Sequence, residues 1–262
     1  MDLMKHYHEH DIPGAVFLDT FFSSKSEKLV FEELVKFPME QIYKALDKGY
    51  VSGDTLAEIS VGPMLCHLFP FCDYFKDITV LESNESSVKD LKKWLYEDTD
   101  AYDWSHATAH LTELEGCSDD CRKKEEKLRK LIKRILTFDL KNENPTYPVT
   151  LEKVDCLFCA GGVDILSKSK DELTDNLIKI TSLLKVGGHF IYFGGLNMTY
   201  YMVGEHKFFN VTYDEEFLRK TLEKIGYVIE HVTKMKRQEQ RTSIDYESVV
   251  FIIALKKSDF KK

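Results

Sequence analysis

The feature that most constrains this chain is a glycine-proline break between two apolar runs. Residues 55–61 read Thr-Leu-Ala-Glu-Ile-Ser-Val, Gly62 and Pro63 follow, and residues 64–69 are again mostly apolar. This pattern predicts a strand, a tight turn and a helix. In an open α/β sheet such a turn lies at the carboxyl end of a strand, where backbone can approach a ligand. The break therefore predicts a binding site.

A second strand is predicted at residues 77–82, and it ends in an acid, Glu82. The acid follows Gly62 by about 20 residues, the spacing at which a carboxylate reaches ribose hydroxyls in nucleotide-binding sheets. Binding of an adenosine-containing ligand is the first hypothesis. The alternative is an α/β protein without a nucleotide, since the turn and the acid also occur together there.

Strand and helix patterns alternate along the rest of the chain. Further strands are predicted at 135–140, 154–159, 189–193, 227–234 and 248–256, and helices at 86–97, 119–134, 171–185 and 214–225. Residues 104–114 are predicted to be irregular or partly extended. The alternation favours a mostly parallel sheet, and the last two strands, joined without a helix, predict an antiparallel hairpin at one edge. The predicted fold is a doubly wound, Rossmann-like, seven-stranded α/β core over residues 51–262.

Residues 1–50 precede this core. Ser24 and Glu27 form a capping-box pattern before an amphipathic stretch, Pro38 is expected to interrupt that helix, and a second helix is predicted at 39–47. The sequence leaves two interpretations open. The segment is either a lid across the carboxyl ends of the strands or an extra packing layer.

Composition narrows the function classes. The 262 residues suffice for a single domain, and 36 basic against 44 acidic residues give a net charge of −8. Because phosphate binding requires a surplus of basic side chains, this balance argues against a nucleic-acid partner. The polar N-terminus and the absence of a long apolar run predict a cytoplasmic protein with no membrane segment.

The six cysteines are expected to be reduced thiols. Cys156 and Cys159 lie three residues apart on a predicted strand and face opposite sides, which argues against a metal or redox pair. Cys117 and Cys121 are interpreted as loop thiols. The histidine cluster at residues 6–10 is interpreted as part of a mobile terminus.

Two motifs are specific to one family: Ala-Tyr-Asp-Trp-Ser at 101–105 and Tyr-Tyr-Met-Val-Gly-Glu at 200–205. Together with residues 58–63, 78–82, 125–129 and 183–190, they make nearly the whole chain resemble the class I S-adenosylmethionine-dependent methyltransferases. Within that class it resembles the small-molecule amine N-methyltransferases, which include nicotinamide, indolethylamine and phenylethanolamine N-methyltransferases. The resemblance implies S-adenosylmethionine as cofactor, a small-molecule amine as substrate, and a monomer.

The resemblance also implies site residues. The cofactor would lie at Phe17, Phe22, Ser60, Val61, Gly62, Pro63, Glu82, Ser87, Asp139, Leu140 and Ala160, and the substrate at Asp164, Gly194, Tyr201 and Asn210. Asp164 is the candidate proton acceptor, although a dedicated base is not compulsory. The residues alone leave alternatives: Asp164 as a helix N-cap, Tyr200 and Tyr201 as packing residues, and Asp139 as the maker of a turn at a strand end.

Three departures from the family pattern fall at the implied site. Ser60 replaces a glycine, the lid residues Phe17, Phe21 and Phe22 carry no hydroxyl, and Gly194 replaces an acid that nicotinamide-type members use. Loss of two hydrogen bonds to the cofactor's carboxylate would remove about 3 to 6 kcal/mol without other donors. The rival hypothesis is thus a catalytically silent relative that binds a ligand or has a structural role. An NAD-dependent oxidoreductase is disfavoured, because only one of the three glycines of a G-x-G-x-x-G pattern is present.

Overall fold

The computed structural model describes residues 4–7, 13–23, 26–116 and 121–260. Within these residues nine strands form a seven-stranded sheet and a separate two-stranded sheet. The strands are β1 Thr55–Ser60, β2 Asp77–Glu82, β3 Ile132–Thr137, β4 Val154–Ala160, β5 Leu184–Leu196, β6 Tyr200–Val203, β7 His206–Phe209, β8 Tyr227–Lys236 and β9 Ser248–Lys256.

The large sheet has the order β3-β2-β1-β4-β5-β9-β8, and β6 pairs with β7. Strands β1 to β5 run parallel to one another, whereas β9 is antiparallel to both β5 and β8. The predicted mostly parallel sheet with an antiparallel edge hairpin is therefore confirmed. The order reverses between β1 and β4, which is where open α/β sheets bind their ligands.

Helices surround the sheet. They are α1 Gly14–Phe21, α2 Lys28–Phe31, α3 Phe37–Asp47, α4 Glu85–Leu95, α5 Ser105–Glu115, α6 Cys121–Leu131, α7 Gly162–Leu166, α8 Lys170–Thr181 and α9 Glu215–Lys224, with a π-helical turn at Glu32–Lys36 and a 3₁₀ helix at Cys66–Asp73. Consecutive residues of β4, Leu157 and Phe158, are both fully buried. Successive strand residues face opposite sides, so both faces of the sheet are covered.

The expectation that Pro38 interrupts the N-terminal helix is wrong. Residues 28–47 stay helical, and Pro38 is the second residue of α3. The π-helical turn before it lets the Phe37 N–H bond to the Glu32 carbonyl, five residues back. Pro38 follows this turn directly, so a residue that cannot donate a helical hydrogen bond lies where the helical hydrogen-bond pattern already changes. Ser24 of the predicted capping box lies outside the described residues.

The expectation of an irregular segment at 104–114 is also wrong, because α5 covers most of it. Asp103 Oδ1 accepts a hydrogen bond from the Ser105 N–H at 2.9 Å, and the helix ends at Gly116 in a left-handed conformation. Ala107 and Leu111 are fully buried on its inner face. Packing of this face outweighs the weak helix propensity of the Thr and His residues in the segment.

Several boundaries also differ from those predicted, two of them near the glycine turn and Asp139. The helix expected directly after Pro63 starts at Cys66 and is a 3₁₀ helix. Strand β3 ends at Thr137, so Asp139 lies beyond the strand rather than at its end. In the described part of the chain, no helix is both long and apolar enough to cross a membrane.

The cap of α9 allows a stability test. Asp214 accepts a hydrogen bond from the Phe217 N–H at 2.8 Å, and removing an N-cap side chain costs about 1 kcal/mol. We expect Asp214→Ala to lower the free energy of unfolding by about that amount in urea denaturation. Asp214→Asn keeps an accepting oxygen and is the matched control. Equal losses in the two variants would contradict this role of the cap.

Candidate active site

A cavity of about 80 Å³ lies beside the carboxyl ends of β1 and β4, under α1. Eight of the residues implied by the family resemblance line it: Phe17, Phe22, Val61, Ala160, Asp164, Gly194, Tyr201 and Asn210. Most of the other lining side chains are apolar, among them Phe21, Leu34, Phe193, Met198 and Ile244. The cavity thus suits a small, largely apolar group.

The glycine turn forms one wall of the site. Gly62 has a φ of 75°, and a Cβ placed on it would lie 2.4 Å from Cδ1 of Phe17. Glycine is therefore required both by the backbone conformation and by the close approach of α1. Pro63 is outside the cavity and packs near Gly14. Ser60 lies at the end of β1, where its backbone pairs with Ala160.

Tyr7 is a site residue that the sequence reasoning missed. Its side chain is 1% exposed, and its hydroxyl accepts a hydrogen bond from the Gly62 N–H at 2.8 Å. The same hydroxyl lies 3.3 Å from Glu82 Oε1 and 3.1 Å from Ser87 Oγ. It thus links the glycine turn, the acid at the end of β2 and the first turn of α4. The one signal in the sequence was an aromatic residue within the polar terminus.

Glu82 is buried, and its two oxygens differ. Oε1 accepts a hydrogen bond from the Asn84 N–H at 2.8 Å as well as from Tyr7. Oε2 makes no hydrogen bond with any described residue. Burial, reinforced by the nearby Glu58, raises the pKa of Glu82 to about 8 against the hydrogen bonds that lower it. An unused buried acceptor of this kind matches a ligand that offers hydroxyl donors.

Asp139 and Leu140 lie apart from the cavity, in a larger groove of about 790 Å³ that Ser83 also lines. Asp139 Oδ1 accepts a hydrogen bond from the Lys141 N–H at 2.8 Å. This is the turn-forming bond that the sequence left as an alternative. Lys179 donates a hydrogen bond to the Leu140 carbonyl from α8.

Asp164 is the acid of the cavity, and the alternative that it is a helix N-cap is wrong. Gly161 occupies the N-cap position of α7, and Asp164 is the third residue of that helix. The residue is 1% exposed. Oδ2 accepts a hydrogen bond from the Tyr213 hydroxyl at 3.1 Å, whereas Oδ1 makes none of normal geometry with a described residue. Burial raises the pKa of Asp164 to about 6, although the Tyr213 hydroxyl and backbone N–H groups of α7 oppose that rise.

Three further side-chain polar atoms of cavity-lining residues lack partners within the described chain: the hydroxyl of Tyr201, Oδ1 of Asn210 and Nδ1 of His67. The ring of Tyr201 also stacks on Phe208 at a centroid distance of 5.3 Å, so its packing role is real as well. Tyr200, in contrast, lies under the ammonium group of Lys207 and does not line the cavity.

His67 contributes a neutral ring to the wall. Its Nε2 donates to the Leu34 carbonyl at 2.7 Å, and burial lowers the pKa of this histidine to about 4. No group of three or more His, Cys, Asp or Glu side chains suited to a metal ion occurs within 4–7, 13–23, 26–116 and 121–260. Cys156 and Cys159 are buried in β4, and Cys117 and residues 8–10 lie outside the described residues.

The strand order and the position of the site define the class of protein: the fold is that of the S-adenosylmethionine-dependent methyltransferases. The N-methyltransferase NodS from Bradyrhizobium japonicum WM9 shares it with a TM-score of 0.53 at 9% identity, over 95% of this chain and 100% of that one. A methyltransferase from Clostridium acetobutylicum ATCC 824 gives a TM-score of 0.53 at 13% identity, over 92% and 97%.

The family follows from the sequence. Residues 3–257 match the model of the NNMT/PNMT/TEMT family. Indolethylamine N-methyltransferase from Oryctolagus cuniculus is 33% identical over 96% of this chain and 95% of its own length. Nicotinamide N-methyltransferase from Homo sapiens is 28% identical over 97% and 95%, and phenylethanolamine N-methyltransferase from Sus scrofa is 33% identical over 80% and 75%. The chain belongs to the NNMT/PNMT/TEMT family.

Proposed function

We propose that this protein transfers the methyl group of S-adenosylmethionine to the nitrogen of a small amine. The observation that carries the proposal is the buried carboxylate of Asp164, whose Oδ1 is unpaired among the described residues of an otherwise largely apolar cavity. A buried acceptor without a partner is costly unless a ligand supplies a donor. An amine with an N–H group supplies that donor, and a pyridine-type nitrogen does not.

The described residues fit S-adenosylmethionine. Oε2 of Glu82 is available for ribose hydroxyls, and the groove beside Asp139 and Leu140 accommodates an adenine. Val61 and Ala160 line the cavity and would border the methyl-bearing sulfur. The proposal assigns Tyr7 to the orientation of Glu82, because its hydroxyl engages Oε1 and leaves Oε2 free. Ser87, Gly62 and Pro63 remain cofactor-site residues in this proposal, as does the backbone of Ser60.

The cofactor supplies an activated methyl group and a good leaving group. The protein's part is to orient the amine, exclude water and hold a proton. An ammonium substrate gives one N–H proton to Asp164 Oδ1, and the freed nitrogen lone pair forms the N–C bond. S-adenosylmethionine, when bound, would supply the methyl carbon and keep the electron pair of the broken C–S bond on its sulfur, so that S-adenosylhomocysteine is the leaving group. The proton on Asp164 leaves to solvent after the product departs.

The same proposal includes the arrangement of the chain. It forms one domain, with residues 1–50 as a helical lid over the core at 51–262, because Phe17, Phe21 and Phe22 of the N-terminal segment line the cavity. The protein is a cytoplasmic monomer that binds no nucleic acid, which agrees with the net charge of −8. Light scattering measures the molar mass of the protein with and without a DNA duplex. The expected result is the mass of a monomer in both cases.

The rival hypothesis of a catalytically silent relative gains no support from the family, whose named relatives are N-methyltransferases. Its basis is the three departures at the implied site: Ser60, the lid phenylalanines without hydroxyls, and Gly194. Binding of S-adenosylhomocysteine is the first discriminator, and saturation at 100 times Kd would raise the free energy of unfolding by about 2.7 kcal/mol. Methyl transfer to an amine then excludes a silent relative that still binds the ligand.

The test combines calorimetry with a transfer assay. Purified protein is titrated with S-adenosylmethionine and then incubated with the radiolabelled cofactor and a panel of small primary amines, secondary amines and pyridines. Micromolar binding with transfer to amines supports the proposal. Transfer to pyridines alone contradicts the assigned role of Asp164, and no binding up to millimolar concentration favours the silent relative.

A further inference from the structure

Two buried tyrosines continue the hydrogen bonding of Asp164 away from the cavity. Tyr213 donates to Asp164 Oδ2 at 3.1 Å, and the hydroxyls of Tyr192 and Tyr213 lie 2.5 Å apart. Because an ionised carboxylate only accepts, the Tyr213 proton points to Asp164, and Tyr192 must donate to the oxygen of Tyr213. The result is a directed chain, Tyr192 to Tyr213 to Asp164, within a fully buried region.

Gly194 makes room for this chain. A Cβ at position 194 would lie 2.7 Å from the hydroxyl of Tyr192 and 2.7 Å from that of Tyr213. Any larger side chain would therefore push the two phenols apart or displace them from Asp164. The tyrosine pair therefore requires glycine at position 194. With no acid at this position, Asp164 is the sole acid among the described residues that line the cavity.

The surroundings of Asp164 are polar but uncharged. The titratable groups that face it are Tyr213, Tyr192 and Cys159, together with Tyr201 from β6, and burial raises the pKa of each of these four groups. No Lys or Arg is among the described residues that line the cavity. A lysine or arginine beside Asp164 would pair with its negative charge. Hydroxyl donors stabilise the ionised carboxylate without neutralising it, so the negative charge stays available to a positively charged ligand.

We propose that Tyr192 and Tyr213 are positioning residues that hold Asp164 with Oδ2 bound and Oδ1 open to the substrate, so that the enzyme selects amines bearing a single positive charge. This inference rests on the proposed function for the identity of the ligand. It goes beyond that function by assigning the selection to two residues that do not touch the substrate themselves.

The test uses Tyr213→Phe and the double variant Tyr192→Phe/Tyr213→Phe. The matched control is Tyr227→Phe, which removes a buried hydroxyl on β8 outside the cavity. The first readout is the titration of the Asp164 carboxyl carbon by ¹³C NMR in aspartate-labelled protein, with its signal assigned by Asp164→Asn. Loss of the Tyr213 donor disfavours the carboxylate, so the midpoint is expected above the wild-type value of about 6.

The second readout is the kcat/KM of each variant for an amine, divided by the wild-type kcat/KM at the same pH. Protonation of the substrate affects both values equally and therefore drops out of this ratio. At pH 7 the ratio is expected to fall about 2- to 10-fold in Tyr213→Phe, because the loss of one hydrogen bond to a charged group raises a pKa of about 6 by about one to two units. The loss should shrink above pH 8, where the carboxyl of the variant ionises again. Tyr227→Phe should leave both readouts at the wild-type values.

The inference and the proposed function fail in different ways. If the NMR midpoint of Asp164 in Tyr213→Phe and in the double variant equals that of wild type, the positioning chain is refuted, whatever the activity. If wild type neither binds S-adenosylhomocysteine nor methylates an amine, the proposed function is refuted. A shifted midpoint would then still establish the hydrogen-bond chain. A loss of activity that is equal at every pH, with an unshifted midpoint, would show a merely structural role for the tyrosines.

Discussion

Replacement of Asp164 by asparagine is expected to lower kcat/KM for an amine substrate by about 100-fold or more, the scale of a lost proton acceptor. The substitution preserves shape and the ability of one oxygen to accept from Tyr213. It removes the negative charge that pairs with the substrate nitrogen and the site that takes its proton. Binding of S-adenosylhomocysteine should change less than about threefold, because the proposed cofactor contacts lie at Glu82 and in the separate groove.

The measurement is steady-state kinetics beside calorimetry of S-adenosylhomocysteine. Asp171→Asn is the matched control, since Asp171 is an exposed acid on α8. The pH dependence has a definite sign: because the pKa of Asp164 is about 6, activity that needs the carboxylate should fall as the pH drops through 6. Retention of most activity by Asp164→Asn at pH 7 would remove this residue from the proposed mechanism.

Replacement of Glu82 by alanine is expected to weaken binding of S-adenosylmethionine by about 10- to 100-fold, the scale of a charge-assisted hydrogen bond. The physical reason is the loss of the free Oε2 acceptor. Calorimetry measures the effect, and Glu113→Ala, a substitution of an exposed acid on α5, is the control. An unchanged Kd in Glu82→Ala would place the ribose elsewhere.

The raised pKa of Glu82 couples binding of S-adenosylmethionine to the release of a proton. With a pKa of about 8, the carboxyl is mostly protonated at pH 7, whereas hydroxyl donors favour its ionised form. Binding at pH 7 should therefore release a proton, which appears as a different observed enthalpy in buffers of different ionisation heat. Glu82→Gln should abolish the difference.

The same shift has a consequence for folding. The native state binds the proton of Glu82 more tightly than the unfolded chain, whose carboxyl has the ordinary value of 4.5. The free energy of unfolding should thus fall as the pH rises from about 4.5 through 8. Denaturation of wild type and Glu82→Gln at several pH values measures this contribution, which should be missing from the variant.

Much of the fold could be predicted because its determinants are local. The strand at 55–60, the tight turn at Gly62 and the acid at the end of β2 follow from residue types a few positions apart. Apolar periodicity and turn residues act over one element, so they predicted the alternation of strands and helices and hence the parallel sheet. The prediction for residues 104–114 was wrong because burial of α5, rather than the helix propensity of its residues, decides the conformation of this segment.

The sequence by itself thus determined the class of fold, the family, and the turn and acids around which a ligand can bind. Only the tertiary structure decided how the site is completed. Tyr7 meets Glu82 across 75 residues, and Tyr213 meets Asp164 across 49. No local pattern encodes such pairs, because each depends on how whole elements pack against one another. Burial then decides the chemistry of Glu82 and Asp164. In water the carboxyl group of either residue would have neither an unpaired oxygen nor a raised pKa.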